Sequence, residues 1–483
     1  MKTRAFIVVG IGHHARRIYV PELAKHSSLT NVELVLIDIS EAEPVIHKYL
    51  EQKQIKAHQV IGLNGQDRID FEGSTIAQKL LAEYDILGVV ISTDPLNHMQ
   101  YASWAVKNNL HVLCDKPLST HVDVATSEEA AINIQKDYQD LLELYKKGTG
   151  LFCLSTQRRY ESAYEYVGDK LAEVAQKFNM PVTSVQSFYS DGLWIFPDEL
   201  VNQNVHPFNR GYGMLSHSGF HLLDALWSFY RQGSVQHKLA DTMEVHASAI
   251  YPEGYIKNFG THDYNRVFDQ NVLAHDDHHY SQKFDGYGEM DISADFLLQK
   301  ANTHIASMSV KMLHNSFSRR SWSQAKEDLY KGNGRVKHQT FTIQQGPFQS
   351  IQLHNYQAVA EHDSYTDEDT YALGGKNHFD IQIFRNADMF GGNTRPVEKL
   401  SSRDINQMYA KSGRLANEVA KSVMIDEFVG SCIAIKTGRA TRDMVKVRND
   451  LPSYNVPVKM MSNLYRSLAR RKMNKHALVG DVI

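Results

Sequence analysis

The first residues that could do chemistry lie in Gly10-Ile-Gly-His-His-Ala15, which directly follows an apolar run and opens a helical pattern. Two glycines allow a tight turn and let the backbone approach a pyrophosphate, which then lies against the first amides of the helix. We therefore expect Gly10, Gly12, His13, His14 and Ala15 to contact a dinucleotide. The alternative is an ordinary turn between a strand and a helix.

Asp38 ends the second predicted strand. A carboxylate at that position can accept hydrogen bonds from both ribose hydroxyls, and it repels a 2′-phosphate. No arginine follows in Ile39-Ser40. The sequence therefore predicts NAD as the cofactor in preference to NADP.

Two more predicted strands end in polar residues and prolines, in Thr93-Asp-Pro95 with His98 nearby and in Asp115-Lys-Pro117. The carboxyl ends of parallel strands meet at one edge of the sheet, where open α/β folds bind their ligands. We expect these residues to lie beside the cofactor.

Together these motifs resemble the glucose–fructose oxidoreductase and inositol dehydrogenase family, called Gfo/Idh/MocA. Its members carry a glycine-rich turn, a strand that ends in Thr/Ser-x-Pro with a nearby His, and Glu-Lys-Pro after the fifth strand. The resemblance covers the N-terminal domain and implies that Thr93, Pro95, His98, Asp115 and Lys116 contact the cofactor. Asp115 departs from the family pattern, which has Glu at this position. Asp keeps the carboxylate but carries it on a shorter side chain.

The resemblance continues at Gln157-Arg-Arg-Tyr160 and at Gly213–Asp224, where family members show Asp-x-Gly-x-His-x-x-Asp. It implies that His221 is the catalytic His and that Asp224 is the Asp after it. His217 replaces the family's first Asp. Residues 217, 221 and 224 share one face if a helix begins there, which predicts a common role.

Oxidising an alcohol requires removal of the hydroxyl proton as hydride leaves, and a His with a pKa near the operating pH suits that task. Lys116 could hydrogen-bond the same oxygen and stabilise the developing alkoxide. The alternatives are a surface lysine and a structural histidine. The predicted catalytic residues are Lys116, His221 and His217.

The substrate pocket is predicted to use these three side chains and Asp224, with further polar or amphipathic candidates. The further candidates are Arg159, Tyr160 and Trp194, followed by Arg158 and Asp191.

Continuous apolar strands that alternate with helices over residues 1–160 predict a doubly wound α/β domain that binds the dinucleotide. Over residues 161–483 the runs alternate with period two, which predicts an α+β domain on a large, mainly antiparallel open sheet. The fold class is therefore α/β with a second α+β domain. The stretch 253–288, poor in aliphatic residues, is expected to be a long irregular insertion.

The cluster His275-Asp-Asp-His-His279 has residue types that ligate zinc, but its members are nearly consecutive. We expect no metal there and interpret it as a solvated or a substrate-facing loop. The basic stretch Arg466–Lys472 is expected to belong to a helix that docks on the body with its charges in water.

The formal charge of −3 gives no field that would gather nucleic acid or a membrane surface. Three scattered cysteines are expected to be reduced and buried, and no apolar run is long enough to span a membrane, so we expect a cytoplasmic protein. The resemblance implies a sugar, sugar derivative or cyclitol as substrate and a homodimer or homotetramer.

The predicted activity is NAD-dependent hydride transfer between the nicotinamide and a secondary alcohol or ketone of that substrate. One alternative is a tightly bound NAD that is recycled in an elimination or epimerisation of a sugar, as in glycosidases that resemble this family. The second alternative is a nucleotide-binding sensor without catalysis.

Overall fold

The computed structural model describes residues 2–30, 32–320, 334–358, 371–375, 378–408 and 416–483. The chain packs as two units. The first comprises Met1–Thr120, Gln135–Tyr160 and Asn417–Asn455, and the second comprises His121–Ile134, Glu161–Ala416 and Val456–Ile483.

A parallel sheet of six strands forms the centre of the first unit, with the spatial order β3-β2-β1-β4-β5-β6. The strands are β1 (Thr3–Val9), β2 (Glu33–Ile39), β3 (Gln59–Leu63), β4 (Tyr84–Ile91), β5 (Val112–Cys114) and β6 (Phe152–Leu154). The order reverses direction at β1, so the carboxyl ends of β1 and β4 lie at the switch point where ligands of such sheets bind.

A sheet of nine strands forms the centre of the second unit, with the order β14-β13-β12-β11-β7-β10-β9-β8-β15. The strands are β7 (Ser184–Leu193), β8 (Thr242–Ile250), β9 (Asp291–Lys300), β10 (Thr303–Asn315), β11 (Val336–Gln345), β12 (Gln349–Ala358), β13 (Asp380–Arg385), β14 (Val397–Ser401) and β15 (Val479–Val482). All neighbours pair antiparallel except β7 and β10, which are parallel. The predicted fold class is confirmed.

Helices connect and cover these strands. Up to residue 202 they are α1 (His13–Arg17), α2 (Tyr19–Thr30), α3 (Glu43–Lys53), α4 (Gly65–Ile69), α5 (Thr75–Glu83), α6 (His98–Lys107), α7 (Glu128–Lys147), α8 (Ser162–Phe178) and α9 (Pro197–Asn202). After that come α10 (Phe220–Gln232), α11 (Pro252–Asn258), α12 (Thr261–Phe268), α13 (Asp277–Lys283), α14 (Ala387–Phe390), α15 (Ser402–Met408), α16 (Ala416–Lys436) and α17 (Asn455–Lys472). No helix in the described ranges is both long and apolar enough to cross a membrane.

The expected irregular insertion at 253–288 is wrong, because this stretch contains the three short helices α11, α12 and α13. Aromatic rings replace aliphatic side chains as their core: Tyr264 and Tyr280 are 4% and 0% exposed. Asp276 caps α13 by accepting a hydrogen bond from the His279 amide. Aromatic burial and capping thus order a stretch whose aliphatic content is low.

The division of the chain differs from the predicted cut after residue 160, because residues 417–455 pack with the first unit. Their helix α16 buries an apolar face that includes Met424, Ile425, Phe428 and Val429 in the same core cluster as the strand residues of the six-stranded sheet. Gly88 leaves room for this packing, since a Cβ there would lie 3.1 Å from the Phe428 ring. The sequence pattern also predicts a helical tract over Ser402–Lys436. Its residues 409–415 lie outside the described residues.

This packing predicts that Phe428→Ala destabilises the first unit. Phe428 is 1% exposed, and truncation of a buried Phe to Ala costs about 3–5 kcal/mol of unfolding free energy. Urea unfolding followed by circular dichroism measures the loss. The control is Met444→Ala, whose side chain is 68% exposed and should change the free energy by less than about 0.5 kcal/mol. Equal effects of the two variants would show that α16 contributes no core to this unit.

Candidate active site

The turn after β1 is built around Gly10. Its φ of +86° is in the left-handed region, and a Cβ there would lie 2.7 Å from the Ser92 carbonyl carbon and 2.7 Å from the Thr93 nitrogen. The Gly10 amide donates to the Ile37 oxygen at 2.9 Å. Backbone from three strand ends therefore meets where only glycine fits.

Gly12 shows the complementary feature. It is the extended residue before α1, and a Cβ at this position would meet no protein atom within 4 Å. Open space beside a backbone that starts a helix is what a phosphate group needs for close approach. His13 is exposed and His14 half-buried beside it, while Ala15 is buried under the turn.

Asp38 lies at the end of β2 and is half-buried. Its Oδ2 accepts the Ile11 amide at 2.6 Å, and its Oδ1 accepts the Ile39 amide at 2.7 Å. Each carboxylate oxygen keeps a second acceptor site, so the group can still bind ribose hydroxyls. The structure thus adds a role that the sequence did not predict, which is to tie β2 to the turn after β1.

His98 connects the loops that follow β4 and β5 in the six-stranded sheet. Its side chain is fully buried, with Nδ1 2.8 Å from the Pro117 oxygen and Nε2 3.1 Å from the Thr93 oxygen. Burial lowers the pKa of His98. The imidazole thereby fixes the carbonyl that follows Lys116 and the carbonyl two residues before Pro95, and it offers no exposed surface to a cofactor.

Asp115 and Lys116 directly follow β5. The Asp115 carboxylate accepts the Lys116 amide at 2.8 Å and lies 3.8 Å from His14 Nε2. Burial opposes ionisation of Asp115, yet His14, Lys116 and His98 hold its pKa below the usual value. An anionic Asp115 therefore lies among basic groups at the edge of the sheet where we predict that the dinucleotide binds. Lys116 is half-buried, and its peptide bond to Pro117 is cis.

In the second unit a π-helical turn, Leu215–Gly219, runs into α10. This turn carries His217, and α10 carries His221 and Asp224; His217 and Asp224 are 3% and 1% exposed, whereas His221 is half-buried. The predicted helix start is therefore present, but its first turn has π geometry, which is frequent at functional sites.

His217 lies among aromatic rings. Its imidazole stacks on His206 with centroids 4.8 Å apart, and the rings of Phe208 and Tyr212 meet it edge-on at 4.9 and 5.4 Å. These contacts hold the His217 ring in one orientation. Its predicted catalytic partnership with His221 stays a prediction.

Arg159 and Tyr160 lie within the first unit, where they contact residues of α16 and of the segment after it. The Tyr160 hydroxyl donates to Glu427 of α16 at 2.7 Å and lies 2.8 Å from the Asn449 side-chain oxygen, and the ring is 1% exposed. The Arg159 guanidinium donates to the Arg448 oxygen at 2.7 Å. Because its ring is buried within the first unit, Tyr160 is not part of the substrate pocket that we propose below. Arg158, the other basic residue of the motif, is also buried.

Two buried ionisable groups of the second unit were not recognised in the sequence as a pair. Asp191 lies near the end of β7 and His314 near the end of β10, with His314 Nδ1 3.2 Å from Asp191 Oδ2. Burial opposes ionisation of Asp191, but Arg335, His314 and Tyr189 hold its pKa well below its usual range. The two residues meet because β7 and β10 are parallel neighbours, a pairing that the sequence pattern did not show.

Glu289 is a further buried ionisable group of the second unit, and no sequence motif points to it. Its side chain is fully buried, and its Oε1 accepts the Leu215 amide at 3.0 Å and the Tyr465 hydroxyl at 3.0 Å. Its Oε2 is buried without a hydrogen-bond partner among the described residues. Burial raises the pKa of Glu289 to about 7. This carboxyl group therefore holds the start of the π-helical turn that carries His217.

We predict that Glu289 makes stability fall as pH rises. An unfolded Glu has a pKa of about 4.3, so between that pH and about 7 the folded chain keeps a proton that the unfolded chain has released. Across this pH range the unfolding free energy of the second unit should fall by roughly 4 kcal/mol, since one pKa unit corresponds to about 1.4 kcal/mol. Glu289→Gln removes this term, and urea unfolding from pH 4.5 to 8 measures it.

Glu253→Gln is the control, because Glu253 is exposed and its substitution should leave the pH dependence of the parent unchanged. A Glu289→Gln variant with the parental pH dependence would show that Glu289 ionises as an ordinary exposed carboxyl.

Comparisons with known proteins agree with this geometry. Residues 4–137 match the sequence model of GFO_IDH_MocA, described as an oxidoreductase family with an NAD-binding Rossmann fold. A search of curated proteins found no match.

Solved structures similar to the whole chain share its fold at low sequence identity. Levoglucosan dehydrogenase in complex with NADH and L-sorbose is 13% identical with a TM-score of 0.57, covering 99% of both chains. Aldose-aldose oxidoreductase from Caulobacter crescentus is 13% identical with a TM-score of 0.55, covering 100% of both chains. An oxidoreductase from Agrobacterium radiobacter in complex with NAD+, L-tartaric acid and magnesium is 11% identical with a TM-score of 0.55, covering 99% of this chain and 98% of the other.

The glycine turn at Gly10–Gly12, the strand-end motifs and the family match thus lie within the same part of the chain, and the predicted resemblance and cofactor are confirmed. The N-terminal part of this chain has the NAD-binding Rossmann fold of the Gfo/Idh/MocA oxidoreductases.

Proposed function

We propose that the protein transfers hydride between NAD and a secondary alcohol or ketone of a sugar, sugar derivative or cyclitol. The observation that carries this proposal is the turn at Gly10–Gly12 with Asp38 beside it, inside the stretch that matches an NAD-binding oxidoreductase family. The substrate class rests on the sequence resemblance and on the sugars named with similar folds, levoglucosan and L-sorbose among them.

The residues at the carboxyl ends of β1 and β2 fit NAD. Gly12 leaves the space that a pyrophosphate would fill, and Asp38 keeps acceptor sites for the ribose hydroxyls. We assign Thr93, Pro95 and Asp115 to the walls near the nicotinamide. NAD supplies the hydride acceptor when it is bound.

Lys116 and His221 carry the proton chemistry in this proposal. Lys116 donates a hydrogen bond to the reacting oxygen, and its positive charge stabilises the alkoxide that develops there. His221 takes the hydroxyl proton as general base. Trp194, His217 and Asp224 shape the substrate side, and His98 holds the backbone that presents Lys116.

The direct test incubates the purified protein with NAD+ and a panel of sugars, sugar derivatives and cyclitols, with absorbance at the NADH band as the readout. Mass spectrometry of the protein before incubation shows whether NAD(H) is retained. Oxidation of one alcohol class supports the proposal. Retained cofactor with elimination or epimerisation products but no net NADH would support the recycled-NAD alternative, and tight NAD binding without any turnover would support the sensor alternative.

Asp38 should set the preference for NAD. Charged hydrogen bonds contribute about 1.5–3 kcal/mol each, so Asp38→Ala should weaken NAD+ binding by roughly tenfold or more while NADP+ binding improves relative to it. Asp38→Asn is the informative companion, because it keeps an acceptor for the Ile11 amide and removes the charge. Calorimetric titration of both cofactors measures the preference, and a parent protein that binds NADP+ more tightly would overturn the assignment.

Lys116→Ala and His221→Ala should each lower kcat by roughly 10² to 10⁴-fold while NAD+ affinity stays largely unchanged, because each residue acts on the reacting oxygen. Lys79→Ala and His237→Ala are the controls, since both side chains are exposed on the same units. Steady-state kinetics with the substrate found in the panel measures the effects. Near-normal turnover of either test variant removes that residue from the mechanism.

The predicted homodimer or homotetramer and the predicted cytoplasmic location stay predictions. The three cysteines are free and buried, as the sequence suggested.

A further inference from the structure

The second unit contains an apolar cavity of about 540 Å³ between its short inserted helices and the ends of β7 and β10. This volume is that of a small-molecule site. Trp194, Phe259 and Tyr264 present aromatic rings to the cavity, and Ile256 and Met290 close its floor as buried residues. The cavity is therefore walled mainly by rings and aliphatic groups.

The polar side chains in the lining already have partners within the protein. Trp194 Nε1 donates to the Tyr264 hydroxyl at 3.2 Å, and the Tyr255 hydroxyl donates to Asp291 at 2.6 Å. The Asn315 side chain bonds both backbone groups of Ile195. A bare polyol would have to break these bonds to satisfy its own hydroxyls, so the lining favours an apolar ligand.

The rim of the cavity exposes large apolar side chains to solvent. Phe317 is 70% exposed and Val267 is 53% exposed, and both line the opening. Exposed apolar groups around a concave apolar site are typical of ligand-binding surfaces. A ligand in the cavity would cover part of both side chains.

Phe208 connects the cavity to the histidines of the same unit. It belongs to the apolar cluster that includes the cavity residues Ile256 and Met290. Its ring centroid lies 4.9 Å from that of His217 and 4.8 Å from that of His314. One apolar cluster therefore connects residues of the cavity to the turn that carries His217.

From these observations we infer that the cavity binds an aromatic ring carried by the sugar-derived substrate. The substrate is then an aryl glycoside. This inference rests on the proposed function for the sugar part, whereas the cavity itself supplies the case for the ring. The polar part of such a molecule would lie toward His217, and the ring would lie among Trp194, Phe259 and Tyr264.

The binding test uses 4-fluoroanisole as an apolar probe and ¹⁹F NMR line broadening as the readout. The parent protein should bind the probe, and Val267→Glu should weaken binding at least tenfold because it places a carboxylate at the apolar rim. Val397→Glu is the matched control, since Val397 is 52% exposed on β14 and does not line the cavity. Phe317→Ala, with Phe384→Ala as its control, repeats the comparison by removing a rim contact.

The kinetic test compares unsubstituted sugars with their 4-fluorophenyl glycosides. The aryl group should raise kcat/KM at least tenfold in the parent, and Val267→Glu should abolish the gain. A parent that binds no probe, or that loses no binding in Val267→Glu relative to Val397→Glu, overturns the inference even if sugars are oxidised. If Val267→Glu weakens probe binding but the parent protein oxidises no alcohol, the proposed function is contradicted, and the cavity is an apolar ligand site only.

Discussion

The edge of the six-stranded sheet at which we propose that NAD binds depends on the close approach of Gly10 to the backbone of Ser92 and Thr93. A side chain at Gly10 would collide with that backbone at 2.7 Å, so the ends of β1 and β4 could not lie as near to each other. Asp38 completes the arrangement by holding the Ile11 amide from the end of β2. The space left at Gly12 and the acceptor sites at Asp38 follow from this contact between three strand ends.

Buried polar groups hold the backbone near the candidate reactive side chains. In the first unit His98 holds the Pro117 carbonyl, which directly follows Lys116, and the Thr93 carbonyl at the end of the neighbouring strand. In the second unit Glu289 holds the start of the turn that carries His217. Both residues are fully buried, and buried polar groups that are hydrogen-bonded specify one local conformation. The candidate reactive groups thus depend on buried partners that do not themselves contact a substrate.

The sequence predicts those parts of the fold and of the candidate site that depend on residues close together in the chain. The strands β1, β2 and β4 are continuous apolar runs, and the glycine turn and the strand-end motifs are short, so all of them could be recognised in sequence. β3 (Gln59–Leu63) gives a weaker sequence signal, because it is short and four of its five residues are only half-buried. The packing of α16 and the pairing of Asp191 with His314 depend on contacts between distant parts of the chain, which periodicity does not report. Tyr160 lies on a matched motif, but its burial depends on Glu427 and Asn449.

In the proposed reaction, hydride passes from a substrate carbon to NAD. Its transfer can be followed with the alcohol identified in the panel, labelled with deuterium on its carbinol carbon, and mass spectrometry of the NADH formed. We predict one deuterium in the NADH from the parent protein and a primary isotope effect on the chemical step. NADH that carries no deuterium, or an unlabelled cofactor pool after the substrate has been consumed, would contradict it.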